Sequence, residues 1–176
     1  EILAIDLSLA SLSYAMRKTE EFNLKSIRYM QADILNLRKL DQKFDLIECA
    51  GVLHHMENPM VGWKILTERL KPGGLMMIGL YSDLARQHIV RVRQEILQHG
   101  VNPARSEMIV FRDNLIASSE PHHRKLILAP DFYSLSELRD LLFHVKEHRF
   151  TVPQLGECLE ELGLAFCGFH NQHILR

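Results

Sequence analysis

Apolar positions along the chain follow two different periods. Ile2 to Ile5 form a short continuous apolar run ending at Asp6, which predicts a buried strand with an acid at its carboxyl end. From Ser8 the period lengthens: Leu9, Leu12, Ala15, Met16 and Phe22 fall at helical spacing, with Ser8 placed to cap the helix and Asn23 to stop it in a left-handed conformation. Ile27 to Met30 predict a second strand, followed by Ala32-Asp33-Ile34, and Phe44 to Cys49 a third. Asn58-Pro59 opens a helix whose inner stripe is Trp63, Leu66 and Leu70. Lys71-Pro72-Gly73-Gly74 stops it, and Leu75 to Leu80 predict a fourth strand. Near-continuous apolar strands alternating with helices predict an α/β protein, its parallel sheet covered on both faces.

After Tyr81 the strand signal fades. Asp83 to Gly100 carry a helical stripe of Leu84, His88, Val92 and Ile96, and further helical pieces are expected between Ser106 and Leu128. Asp131 to Phe143 predict a turn and a helix capped at Ser134 or Ser136. Thr151, with Pro153 in the first turn, opens a helix that runs through Leu162 and closes at Gly163, and Leu164 to Phe169 predict a last strand. With no repeat or linker, residues 1–176 are expected to form a single domain: an α/β core over 1–83, a helical cap or insertion over 84–150, and a helix and strand over 151–176.

The 176 residues carry 21 Lys and Arg against 22 Asp and Glu, a formal charge of −1 that argues against a nucleic-acid binder. A hydrophobic fraction of 47% with 24% charged residues suits a soluble globular protein, and no apolar stretch is long enough to span a bilayer. Cys49, Cys158 and Cys167 form no C-x-x-C pair, so a disulfide framework is not expected and a reducing, cytoplasmic setting is. Between residues 86 and 125, seven basic side chains face four acidic ones, an excess able to steer an anionic substrate.

In an open parallel sheet, ligands bind beyond the carboxyl ends of the strands. Asp6 stands where a carboxylate can accept hydrogen bonds from both hydroxyls of a ribose, and Asp33 where one can accept from an adenine amine. After the third strand, Ala50 and Gly51 let a ligand approach the backbone, and Val52-Leu53-His54-His55 follows. Each acid taken alone has a plainer reading as a turn or capping residue.

Taken together, Ile-Asp-Leu-Ser at 5–8, Ala-Asp-Ile at 32–34, Phe-Asp-Leu-Ile-Glu at 44–48, Val-Leu-His-His at 52–55 and Leu-Lys-Pro-Gly-Gly at 70–74 resemble, in order and spacing, the class I S-adenosylmethionine-dependent methyltransferases. Val-Leu-His-His is most similar to the branch containing the ubiquinone and menaquinone methyltransferases. The stretch from Asp131-Phe132-Tyr133-Ser134 to His148-Arg149-Phe150-Thr151 resembles bacterial methyltransferase domains found beside tetratricopeptide repeats. The resemblance implies a Rossmann-like three-layer α/β/α sandwich and S-adenosylmethionine as cofactor. It puts Asp6 on the ribose and Leu7 beside the adenine, Asp33 on the adenine amine after Ala32, and Ile34 on the ring. Cys49, Ala50 and Gly51 would line the methionine part. His55, then His54, would serve as base for an acceptor that holds a proton, or the pair would pack and cap the turn. Tyr81, Arg86, Tyr133, Arg139 and His148 would face an acceptor, a small molecule in first place, or pack within the cap.

Only five residues precede Asp6, and the glycine-rich loop that opens this family is not among them. Either the protein is longer at its amino end, and short of a final strand at the other, or this copy is degenerate. The sheet would then have a gap, with association through exposed strand edges.

Two other readings compete. His144-Val-Lys-Glu-His148 matches the reversed zinc-peptidase motif H-x-x-E-H, but its extended surroundings argue against converging rings, and no metal is expected. His122-His123-Arg124-Lys125 is expected to be a solvated helix face. The chain is otherwise a non-catalytic methyltransferase-like interaction module or an inactive fragment, which cofactor binding distinguishes from an enzyme.

Overall fold

The computed structural model describes residues 1–144 and 146–170. Val145, inside the H-x-x-E-H stretch, and residues 171–176, the end of the C-terminal segment, lie outside the described residues. The chain divides into two compact units: Glu1–Leu53 with Asn58–Ile78, and His54–Glu57 with Gly79–Arg176.

In the first unit, β1 (Ile2–Asp6) leads into α1 (Leu9–Glu21), where the Ser8 hydroxyl accepts from the Ser11 amide as the cap. Asn23 turns the chain out of the helix at φ 52°, as its αL-tolerant side chain predicts. β2 (Ile27–Gln31) then lies parallel to β1, in register from Ile2 beside Ile27 to Asp6 beside Gln31. The stripe expected on α1 is mostly outside: Leu12 is buried, while Leu9, Met16 and Phe22 are exposed. A pair only two strands wide covers little more than one row of helix side chains.

A 3-10 segment (Ile34–Lys39) precedes β3 (Phe44–Ala50). Asn58 caps α2 (Pro59–Arg69), whose Trp63 and Leu66 are buried as the stripe predicts, joined by Ile65, while Leu70 is half-buried. α2 packs on the 3-10 segment, where Leu37 is buried. β4 (Leu70–Gly79) pairs with β3 and starts five residues before the expected Leu75. The ladder reaches back because Gly74 has no side chain: a Cβ there would lie 2.9 Å from the Asp45 carbonyl oxygen. Lys71 also holds Asp45 at 2.9 Å.

The second unit holds β5 (Tyr81–Ser82), α3 (Gln87–His99), α4 (Arg105–Ala117), α5 (Pro121–Leu126), α6 (Leu135–Phe143), β6 (Arg149–Phe150) and α7 (Val152–Leu162). Ile89, Val92 and Ile96 of α3 build its core with Leu115, Leu126, Phe132, Leu138, Leu141 and Leu142. Leu84, expected in the α3 stripe, precedes the helix and is exposed. α3 stops at Gly100 with φ +62°, where other residues would be strained. Thr151 and Gln154 close a reciprocal capping box on α7.

The strands stand among the described residues as three pairs, β1–β2, β3–β4 and β5–β6, not one continuous ladder. Residues 164–169 are irregular instead of the expected strand. An extended segment becomes a strand only through a hydrogen-bonded neighbour; here Phe166 and Phe169 pack on each other, ring centres 5.0 Å apart. Among the described residues, no helix is long and apolar enough to cross a membrane.

Candidate functional site

The parallel register of β1 and β2 brings both acids to one end of the pair. The Ala32 amide donates to the Asp6 carbonyl at 3.2 Å, and the Gln31 side chain donates to the Leu7 carbonyl at 2.9 Å. Asp6, Leu7, Ala32 and Asp33 therefore share the carboxyl edge of one parallel pair. Each acid also orders its own turn: Asp6 Oδ1 accepts from the Ser8 amide at 2.7 Å and Asp33 Oδ1 from the Leu35 amide at 2.8 Å. Asp33 caps the 3-10 segment that starts at Ile34. The plain reading of each acid as a turn or capping residue thus holds, and its local bond uses one carboxylate oxygen, leaving the second able to accept.

Cys49 is buried near the end of β3, where burial raises its thiol above the usual range and keeps it protonated. Ala50 and Gly51 are exposed, and Gly51 adopts φ +76°, a conformation that favours glycine and bares the backbone.

The second unit gathers most of the other expected residues. His54 is 1% exposed, and neither ring nitrogen has a hydrogen-bond partner among the described residues. Burial, followed by the charge of His55, lowers its pKa to about 4, so the ring is neutral at pH 7. Its ring centre lies 3.8 Å from that of Tyr81 and 4.3 Å from that of His55. The His148 amide donates to the His54 carbonyl at 2.8 Å. His55 Nδ1 meets the Lys146 carbonyl at 3.0 Å. A carbonyl only accepts, so this bond puts the ring proton on Nδ1 and leaves a lone pair on Nε2.

Arg86 lies 3.6 Å over the Tyr81 ring and binds Glu147 through Nε at 3.0 Å and Nη2 at 2.7 Å. Arg93 reaches the same carboxylate at 3.1 Å and Arg149 at 3.6 Å, and Arg149 also holds Asp83 at 3.2 Å. Burial works to raise the Glu147 pKa; the bond and charge of Arg86, with the charges of Arg93 and Arg149, outweigh it and leave it lowered. This carboxylate is 2% exposed and surrounded by three guanidinium groups. It has no role left as the base of a zinc hydrolase.

Tyr133 and Arg139 stand apart from this group. The Tyr133 hydroxyl donates to the Ile127 carbonyl at 3.0 Å, and Arg139 to the Pro103 carbonyl at 2.8 Å. The His122–Lys125 run is split: Arg124 and Lys125 are exposed, as a solvated face requires, but both imidazoles turn inward onto Glu95. Sequence reasoning missed Arg93 and Arg149 and read Glu147 only as a zinc-site base. The one available signal was three arginines and one glutamate around a strand pair recognisable only in the fold.

Residues 1–78 match the family model of a methyltransferase domain. An uncharacterized protein of a Synechococcus strain is 27% identical over 180 residues, covering 98% of this chain and 43% of that protein. A ubiquinone biosynthesis O-methyltransferase of Rickettsia bellii is 25% identical over 91 residues, 52% of this chain and 37% of the enzyme. The chain spans less than half the length of these curated relatives. In fold it is similar to PKMT2 from Rickettsia typhi in complex with AdoHcy, with a TM-score of 0.69 at 17% identity over 98% of this chain and 37% of that one. The fold is Rossmann-like α/β. Residues 1–78 thus match a methyltransferase domain, in keeping with the S-adenosylmethionine-dependent methyltransferases that the sequence motifs resemble.

Proposed function

We propose that the chain transfers a methyl group from S-adenosylmethionine to a small-molecule acceptor. The observation that carries the cofactor half is the shared edge of β1 and β2, where Asp6 pairs with Gln31 and Asp33 follows two residues beyond it. Asp6 accepts from the ribose hydroxyls and Asp33 from the adenine amine, while Leu7 and Ile34 pack on the base. Cys49, neutral through burial, lines the methionine side with Ala50 and Gly51. The cofactor supplies an electrophilic methyl on a sulfonium, so the protein's part is chiefly positioning and shielding.

On the acceptor side the tautomer of His55 suits it to take a proton at Nε2 from a hydroxyl or similar nucleophile. His54, neutral and buried, holds Tyr81 and His55 in place. Arg86, tied to Glu147 and lying over Tyr81, orients that ring, and the His148 backbone fixes His54. Tyr133 and Arg139 belong to the packing of the helices.

The test is calorimetric titration of the full-length natural protein with S-adenosylhomocysteine, then incubation with methyl-labelled cofactor and a fractionated cell extract. Binding with label in the small-molecule fraction supports the reading. Failure to bind below millimolar concentration removes the enzyme reading, and label confined to protein or nucleic acid removes the small-molecule acceptor.

A further inference from the structure

His122 and His123 are consecutive residues of α5, and neighbouring helical side chains ordinarily diverge by about 100°. Here both rings turn onto one carboxylate. Glu95, reaching from α3, takes His122 Nε2 on Oε1 at 2.5 Å and His123 Nε2 on Oε2 at 2.7 Å. The ring centres are 4.1 Å apart, and one donor atom from each of the three residues lies within 4.8 Å of the other two. Each imidazole is 12% exposed and the carboxylate 28%, so the cluster is sheltered yet reachable from solvent. Behind His123, Nδ1 meets the Ser118 hydroxyl at 2.7 Å, the kind of bond that orients a ligating imidazole.

We propose that Glu95, His122 and His123 form a zinc-binding site, separate from the methyl-transfer residues. Two imidazoles and one carboxylate are a zinc ligand set, with the remaining position left to water. Zn–N and Zn–O bonds of about 2.0–2.2 Å in a tetrahedron set donor atoms about 3.3 Å apart. The bonds of 2.5 and 2.7 Å need to open by less than 1 Å for an ion to enter. The ion takes the place of the two protons now shared between Nε2 and the carboxylate. These leave to solvent while each ring takes one up at Nδ1, so no net proton is released. Each ring then carries its proton on Nδ1, and at His123 that proton is donated to Ser118 Oγ. The site joins α3 to α5, so binding clamps two helices of the core that share Val92, Ile96 and Leu126.

Zinc chloride titrated calorimetrically into chelator-treated protein should bind at one equivalent and raise the melting temperature. Ser118→Ala should weaken binding about 10-fold, and Glu95→Gln or His123→Ala by more than about 100-fold. His144→Ala, in the other histidine group, should leave it unchanged. Should an alanine variant unfold, His123→Cys with cobalt(II) in place of zinc still decides: a sulfur-to-cobalt charge-transfer band is expected. Absence of binding, binding unaffected by Glu95→Gln and His123→Ala in folded protein, or a His123→Cys protein without that band would overturn the proposal.

Discussion

Arg86 grips Glu147 through two parallel bonds, from Nε at 3.0 Å and Nη2 at 2.7 Å, at a point where the carboxylate is 2% exposed. A fork of this kind restricts the guanidinium to one plane, and that plane lies over Tyr81. The charge of Glu147 therefore sets the orientation of an aromatic ring it does not itself touch.

Removing one member of a buried ion pair strands its partner. Glu147→Gln leaves Arg86 and Arg93 without their counter-charge and Arg149 with Asp83 alone. It should destabilise the second unit by about 3–5 kcal/mol. Urea unfolding at pH 7 reads the loss directly; an unchanged midpoint would mean the network is slack. Because the folded pKa of Glu147 is lowered, its contribution is present above the unfolded value and is lost as pH falls through the folded value.

His54 should make stability fall on mild acidification. Its pKa drops from 6.5 to about 4 on folding. Below about pH 6.5 the unfolded chain takes a proton that the folded protein refuses, and stability declines until about pH 4. The full loss is about 3 kcal/mol. His54→Phe should flatten the dependence between pH 7 and 5, and proton NMR should show the native ring neutral at pH 5.5.

Asp6→Ala should weaken S-adenosylhomocysteine binding by about 1.5–3 kcal/mol, measured by calorimetry, through loss of charge-assisted bonds to the ribose. The same change removes the bond to the Ser8 amide at the start of α1. Asp6→Asn keeps an oxygen for that amide, so a matching affinity loss with little loss of stability assigns the effect to the ligand.

Phe132 is fully buried in the core of the second unit. Phe132→Ala should cost about 3–5 kcal/mol in chemical unfolding. Affinity for S-adenosylhomocysteine should stay within a few-fold while the protein is folded, since the proposed cofactor residues all lie in the first unit.

Much of this molecule was legible as local signals, and local physics is the reason. Ser8, Asn58 and Thr151 cap their helices through bonds spanning two or three residues, so sequence alone suffices to find them. Asn23, Gly100 and Gly163 mark helix ends because a positive φ admits few residue types. Asp6 and Asp33 were visible as acids at strand ends, since a strand and its last residue are contiguous in the chain.

What the sequence could not reveal depends on partners distant in the chain. Glu147 meets Arg86 and Arg93 across 61 and 54 residues, and Glu95 meets His122 across 27. No spacing rule connects such positions. The exposed face of α1 and the absence of a strand at 164–169 have the same origin. A stripe is buried only where a surface covers it, and an extended run becomes a strand only beside another. Residue type and local order thus determined where elements begin and which groups carry chemistry; packing alone decided which groups meet, because burial and pairing belong to the contact and not to the residue.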